Sequence, residues 1–186
     1  MIERELCERM GISRTSVREV LRQLEAEELI RVEPRRGPVV AAITAEAAAD
    51  IYEFRSILEP AAVRLFVQRR SPAELRELGR HLDAFRNAVA EGRLDAMVES
   101  MAEFHALIFR GSRNRELLAI GQRLQARISA LRRSTLSLPG RALRALQEMQ
   151  AILDAITAGD AEAAAAAVER HIASAREAAL GGRAAA

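Results

Sequence analysis

From Thr44 to Leu180 the apolar residues recur at the three- and four-residue spacing of an α-helix, and the pattern breaks chiefly where Gly or Pro stands. A segment of that kind folds as helices packed on helices, because every apolar stripe must find another to cover it. Thr44 caps a first helix from Ala45, with Ile51, Phe54, Ile57 and Leu58 on one face; Pro60 is expected to kink or restart it before it ends near Arg69. Ser71-Pro72 supplies an N-cap and a first-turn proline for a helix to about Glu91. Further helices are predicted over 94–110, from the Asn114 cap to about Ser137, over 141–158 and over 161–180. The expectation is an all-α bundle of about six helices over 44–180, with 181–186 as a tail.

Residues 1–42 follow another pattern. Glu3–Met10 reads as a short helix stopped by Gly11, and Ser13 caps a second helix whose Val17, Val20, Leu21 and Leu24 form an i, i+3, i+4, i+7 stripe. The opening turns of that helix carry Arg14, Thr15, Ser16 and Arg18 with no acid among them. Two short apolar runs, Leu29–Val32 and Pro38–Ala42, flank a turn bearing Arg35, Arg36 and Gly37. This is a helix-turn-helix followed by a β wing. A helix so held offers its N-terminal end to the major groove, where Arg reaches guanine and hydroxyls reach bases or phosphates. The wing arginines suit phosphate or minor-groove contacts, against the simpler reading of a solvated Arg face.

The charge total hides this. The 186 residues carry a formal net charge of +2, and residues 1–41 hold eight Arg and eight Glu, yet the turn, the recognition-helix start and the wing tip are basic. At 49% hydrophobic and 29% charged, the chain has the composition of a folded protein with one or two cores, and every cation is Arg. The 3% aromatic content supplies little for single-strand stacking. One cysteine, Cys7, and no secretory leader fit a cytoplasmic protein, and no apolar stretch reaches membrane-spanning length.

The segment "ERELCERMGISRTSVREVLRQLEAEELIRVEPRRGPVV" resembles the winged helix-turn-helix of the GntR family of bacterial transcriptional regulators. The resemblance implies DNA contact through Arg4, Arg14, Thr15, Ser16, Arg18 and Gly37. Two departures accompany it: Glu28 stands where the family usually has Gly, and the family's first helix and wing-pairing strand would lie upstream of Met1. The domain is therefore expected to be truncated or incomplete, with Val17, Leu21 and Leu24 left as bare apolar area.

"IYEFRSILEPAAVRL", "EFHALIFRGSRNRELL" and "EMQAILDAITAGDAEAAAAAVERHI" resemble the FCD effector-binding domain of the FadR-type branch, in its six-helix, VanR-like form. Many members hold a divalent metal with one Asp and three His. By that resemblance His105 and His171 match two ligand positions, while Met101 and Met149 occupy the other two. Two thioethers and two imidazoles suit a hard divalent ion poorly, so no cofactor is assigned. Three readings stay open: a metal-free pocket in which His105 and His171 meet an effector, a soft Cu(I) site, or rescue by Glu103 or Glu148, which point about 100–200° from the lost positions.

Arg55, Arg127 and Arg132 complete the pocket candidates, Arg55 being as readily an ion pair with Glu59 at i+4. His81 is expected at the surface. The whole reads as a homodimeric, ligand-responsive regulator, commonly a repressor, that binds double-stranded operator DNA and a small effector, such as a carboxylate. The alternatives are an effector-binding helical protein without DNA binding, or a helical enzyme using His105 and His171. The residues offer no nucleophilic constellation, so an enzyme is not expected.

Overall fold

The computed structural model describes residues 3–26, 29–34 and 36–181, without the side chains of residues 3, 4 and 126. Glu28, Arg35, the Arg4 side chain and residues 182–186 of the expected tail lie outside that description. The chain divides into two compact units between Ile43 and Thr44.

In the first unit α1 (Glu3–Met10) ends at Gly11, whose φ of 65° is open to glycine at no steric cost. The Ser13 hydroxyl then accepts from the Ser16 backbone N–H at 3.1 Å and starts α2 (Arg14–Ala26). Strands β1 (Ile30–Glu33) and β2 (Gly37–Val40) pair antiparallel with Ile30 opposite Val40 and Glu33 opposite Gly37. Val17 is fully covered, contrary to its expected exposure, because it faces inward beneath the hairpin's apolar side. Leu21 and Leu24 are half-buried and share with Leu6, Ile30 and Val39 the wall of an apolar hollow of about 330 Å³.

The second unit consists, among its described residues, of six helices: α3 (Ala45–Arg69), α4 (Pro72–Ala90), α5 (Leu94–Gly111), α6 (Arg115–Leu136), α7 (Arg141–Ala158) and α8 (Ala161–Gly181). Their starts follow the local chemistry. Thr44 accepts from the Ala47 N–H, Ser71 and Glu74 form a reciprocal capping box ahead of Pro72, and Asn114 accepts from the N–H groups of Glu116 and Leu117. Helix α8 packs on α3 and α7, α5 on α4 and α6, and α3 also on α5. Ala164, Ala165 and Ala167 are buried on α8, and such small side chains let helix axes approach closely.

On α3 the expected restart at Pro60 does not occur, and the buried face differs from the predicted stripe. The helix runs through Pro60 without a break. An interior proline costs about 3 kcal/mol, but a buried Val, Ile or Phe contributes about 1.5–3 kcal/mol. Ile51 before it and Ala62, Val63 and Phe66 after it are all buried, which keeps both halves in one helix. The buried face is also not the predicted stripe: Phe54 and Ile57 are exposed, while Ala48, Ile51, Tyr52, Arg55, Glu59, Ala62, Val63 and Phe66 face the core. Of the predicted stripe, Ile51 is buried and Leu58 half-buried.

Gly111, at the end of α5, lies against the fully buried Phe66 ring, and a Cβ there would overlap ring atoms Cδ2 and Cε2. Gly111→Ala is expected to destabilise the helical unit by about 1–3 kcal/mol, through overpacking and not through helix propensity. A lowered urea midpoint with an unchanged m-value checks this.

Candidate functional site

On α2, Arg14, Thr15, Ser16 and Arg18 are all exposed along the first turns, with the buried Val17 fixing which face they present. The Ser16 hydroxyl lies 3.0 Å from that of Ser13, so the cap and the recognition-helix start are one hydrogen-bonded unit. At the wing, Gly37 takes a φ of 74°, and Arg36 is exposed with its guanidinium 3.7 Å from the Glu33 carboxylate. Arg31, lower on the same strand pair, is held by Glu33 at 2.7 Å. Glu33 thus pairs with Arg31 and Arg36.

The second constellation is inside the helical unit. Arg55 Nε donates to Glu59 Oε1 at 2.6 Å, with 3% and 5% of the two side chains exposed. The guanidinium also stands 5.2 Å from the Tyr52 ring centroid, a cation–π distance. The second Glu59 oxygen, Oε2, lies 3.2 Å from His105 Nδ1 on α5, off the direction of a good hydrogen bond. The His105 and His171 rings are stacked at 5.4 Å, which joins α5 to α8. His171 Nδ1 is 2.7 Å from Glu148 Oε2 on α7, and Arg141 Nη2 donates to the same oxygen at 2.9 Å. Arg132 on α6 is 4% exposed, and its Nε and Nη1 have no hydrogen-bond partner among the described residues.

Burial works to raise the Glu59 carboxyl, but the Arg55 guanidinium and His105 outweigh it and hold it well below the usual carboxylate range. Burial pushes His105 down to about 4, although Glu59 pulls the other way, and lowers His171 against the pull of Glu148. The same desolvation, added to by Arg55, brings Arg132 down to about 9, so it stays a cation at neutral pH. Three buried guanidiniums therefore face two carboxylates and two neutral imidazoles.

Of the residues predicted for the pocket, Arg55, His105 and His171 come together. Met101 is buried one turn before His105 on the same face of α5, and Met149 is buried beside Glu148 on α7. Arg127 is half-buried on α6, about 140° around the helix from Arg132. The objection that Glu148 points away holds only for the lost ligand position, since its carboxylate bonds His171 instead. Glu103 is exposed and 3.6 Å from Arg110. His81 is partly covered, 3.7 Å from Glu77. Tyr52, Glu59 and Arg141 were not proposed as pocket residues, and Glu148 only as a replacement ligand. The legible signal for the first two was the i, i+3, i+4 continuity from Ala48 through Tyr52, Arg55 and Glu59.

These residues do not fit a divalent metal. No three His, Cys, Asp or Glu among the described residues are arranged to hold an ion. Glu59 Oε1 and Glu148 Oε2 are already engaged, and an added divalent charge would sit among Arg55, Arg132 and Arg141.

Stability should fall as the pH drops from about 6.5 to about 4. Across that window the unfolded chain takes up a proton on His105 that the folded chain refuses, and the stability lent by depressed Glu59 is lost further down, as pH falls through its folded value. His105→Asn is expected to flatten the upper part of this decline in denaturation midpoints measured against pH.

Residues 50–174 match the FCD domain family, and residues 1–40 match the bacterial regulatory proteins of the gntR family. YdhC, an uncharacterized HTH-type transcriptional regulator of Bacillus subtilis (strain 168), is 29% identical over 170 residues, covering 91% of this chain and 76% of its own. The galactonate operon transcriptional repressor of Escherichia coli (strain K12) is 28% identical, covering 92% and 83%. Among solved structures, E. coli McbR/YncC shares the fold with a TM-score of 0.83 at 23% identity, over 93% of this chain and 82% of that one. An FCD domain over most of its length, preceded by a gntR-type winged helix-turn-helix, means that the chain belongs to the GntR family of transcriptional regulators.

Proposed function

We propose that this regulator acts in the cytoplasm as a homodimer, in which paired winged units grip a two-fold related operator and the helical unit takes up a small anionic metabolite, such as a carboxylate, that changes operator affinity. The observation that carries the ligand half is the buried excess of guanidinium over carboxylate, with Arg132 Nε and Nη1 unpaired. Leaving a buried cation uncompensated costs several kcal/mol, and an incoming carboxylate answers both its charge and its fork of donors. The DNA half rests on the exposed Arg14, Thr15, Ser16 and Arg18 at the start of α2 and on Arg36 and Gly37 at the wing. Arg4 and Arg35 are assigned to the same surface from the sequence alone.

Repression is the mode proposed, as in the galactonate operon repressor, with ligand binding shifting the dimer between geometries of different half-site spacing. Turnover is not needed: the imidazoles of His105 and His171 face Glu59 and Glu148, and the relatives are regulators. No described helix is long and apolar enough to cross a membrane.

Arg14→Ala with Arg18→Ala is expected to abolish sequence preference, in mobility-shift titrations on an operator selected from random DNA, while the helical circular dichroism stays unchanged. Arg36→Ala should weaken binding to all sequences alike and reduce the salt slope by about one. An unchanged preference in the double variant would overturn the groove assignment.

A further inference from the structure

On the winged unit the two cations beside Glu33 are held unequally. Arg31 and Glu33 stand two residues apart on β1 and so share one face of the strand, opposite to that of Ile30 and Val32. Arg31 donates through Nε at 3.0 Å and through Nη2 at 2.7 Å, both to Glu33 Oε1. Arg36 Nη1 stands 3.7 Å from Oε2, beyond hydrogen-bond reach. The residue paired with Glu33 across the hairpin is Gly37, so the facing position on β2 offers the carboxylate no side chain. The Arg31 side chain is 64% exposed and that of Arg36 80%, which leaves Arg36 the freer of the two guanidiniums.

An exposed pair of this kind contributes little to folding stability, because water and salt answer both charges nearly as well. Its weight falls on binding. A phosphate oxygen that approaches Arg31 must displace a carboxylate already holding two of its N–H groups, whereas at Arg36 it displaces water. The carboxylate also lies well inside the screening length of about 8 Å at physiological salt, and repels the incoming phosphate.

We propose that Glu33 is a positioning residue for DNA binding, which holds the Arg31 guanidinium along β1 and withholds it from phosphate, so that the wing grips the duplex through Arg36. Arg31 is then a cation that the charge count includes and the DNA does not meet. The hairpin carries Arg31, Arg35 and Arg36 with Glu33 as its acid. Without that acid the wing would hold any duplex by charge; with it, one contact is removed from the sequence-independent part of binding, and the recognition helix decides where the protein stays. The inference rests on the reading that α2 and the wing grip DNA, and adds which wing cation is held back and by what.

The test is fluorescence anisotropy of the full chain on the selected operator and on a scrambled duplex, at salt from about 50 to about 200 mM, where each phosphate contact contributes about 0.9 to the slope of log affinity against log salt. Arg31→Ala is expected to leave affinity and slope on both duplexes as in the unaltered chain. Glu33→Gln is expected to bind both duplexes more tightly and to steepen the slope by about one. Combining the two substitutions should cancel the gain and return the original slope.

An Arg31→Ala protein whose slope falls by about one overturns the inference, because Arg31 is then already on phosphate. That variant alters only an exposed side chain, so it tests the inference even if Glu33→Gln does not fold. Weaker binding by a folded Glu33→Gln protein, with no added slope, makes Glu33 a structural residue and overturns it as well. So does a gain that survives the loss of Arg31, since the carboxylate then repels the duplex directly and does not act through Arg31. Each of these leaves the winged unit standing as a DNA reader. If the unaltered chain binds neither duplex, that reading falls and this inference falls with it.

Discussion

Arg55 and Glu59 sit one helical turn apart on α3 with almost no access to solvent, and neither could stay charged there alone. Removing one partner of such a pair costs about 3–5 kcal/mol, because the survivor is left charged in a poor solvent. Everything else in the interior is arranged around the pair. Glu59 orients His105, His105 stacks on His171, and His171 meets Glu148, which Arg141 also holds. The network crosses α3, α5, α8 and α7 in turn. Loss of its first member would be felt in the relative placement of four helices.

Within that chain of contacts the two carboxylates serve Arg55, Arg141 and His171, with Met101 and Met149 buried on the same helices as His105 and Glu148. The interior keeps an excess of positive charge through Arg132. The cost of that buried cation is borne by the folded unit, so the stability of the unit depends on what answers its charge.

Helix boundaries were legible in the sequence because their signals are local: Thr44, Ser71-Pro72, Asn114 and the glycines at 11, 140 and 159 act on their own backbone within a turn. The exposed start of α2 was legible for the same reason, since Val17 declares which face is inward. The inner face of α3 was not, because Phe54 and Ile57 outweighed Ala48, Arg55 and Glu59 on any scale of single-residue hydrophobicity. What reversed the choice was mutual neutralisation, a property of two side chains together. Pro60 does not restart the helix for a similar reason, its local penalty being offset by packing on both sides.

By itself, then, the sequence determined where the helices begin and end, and that a winged DNA reader precedes a helical unit. These follow from cap chemistry, periodicity and residue identity, which act over a few bonds. Only the tertiary structure decided which charges are buried, that Glu148 turns to His171, and that Arg132 keeps Nε and Nη1 unpartnered among the described residues. Those outcomes depend on the distances between residues tens of positions apart, and on the solvent that packing removes from around them.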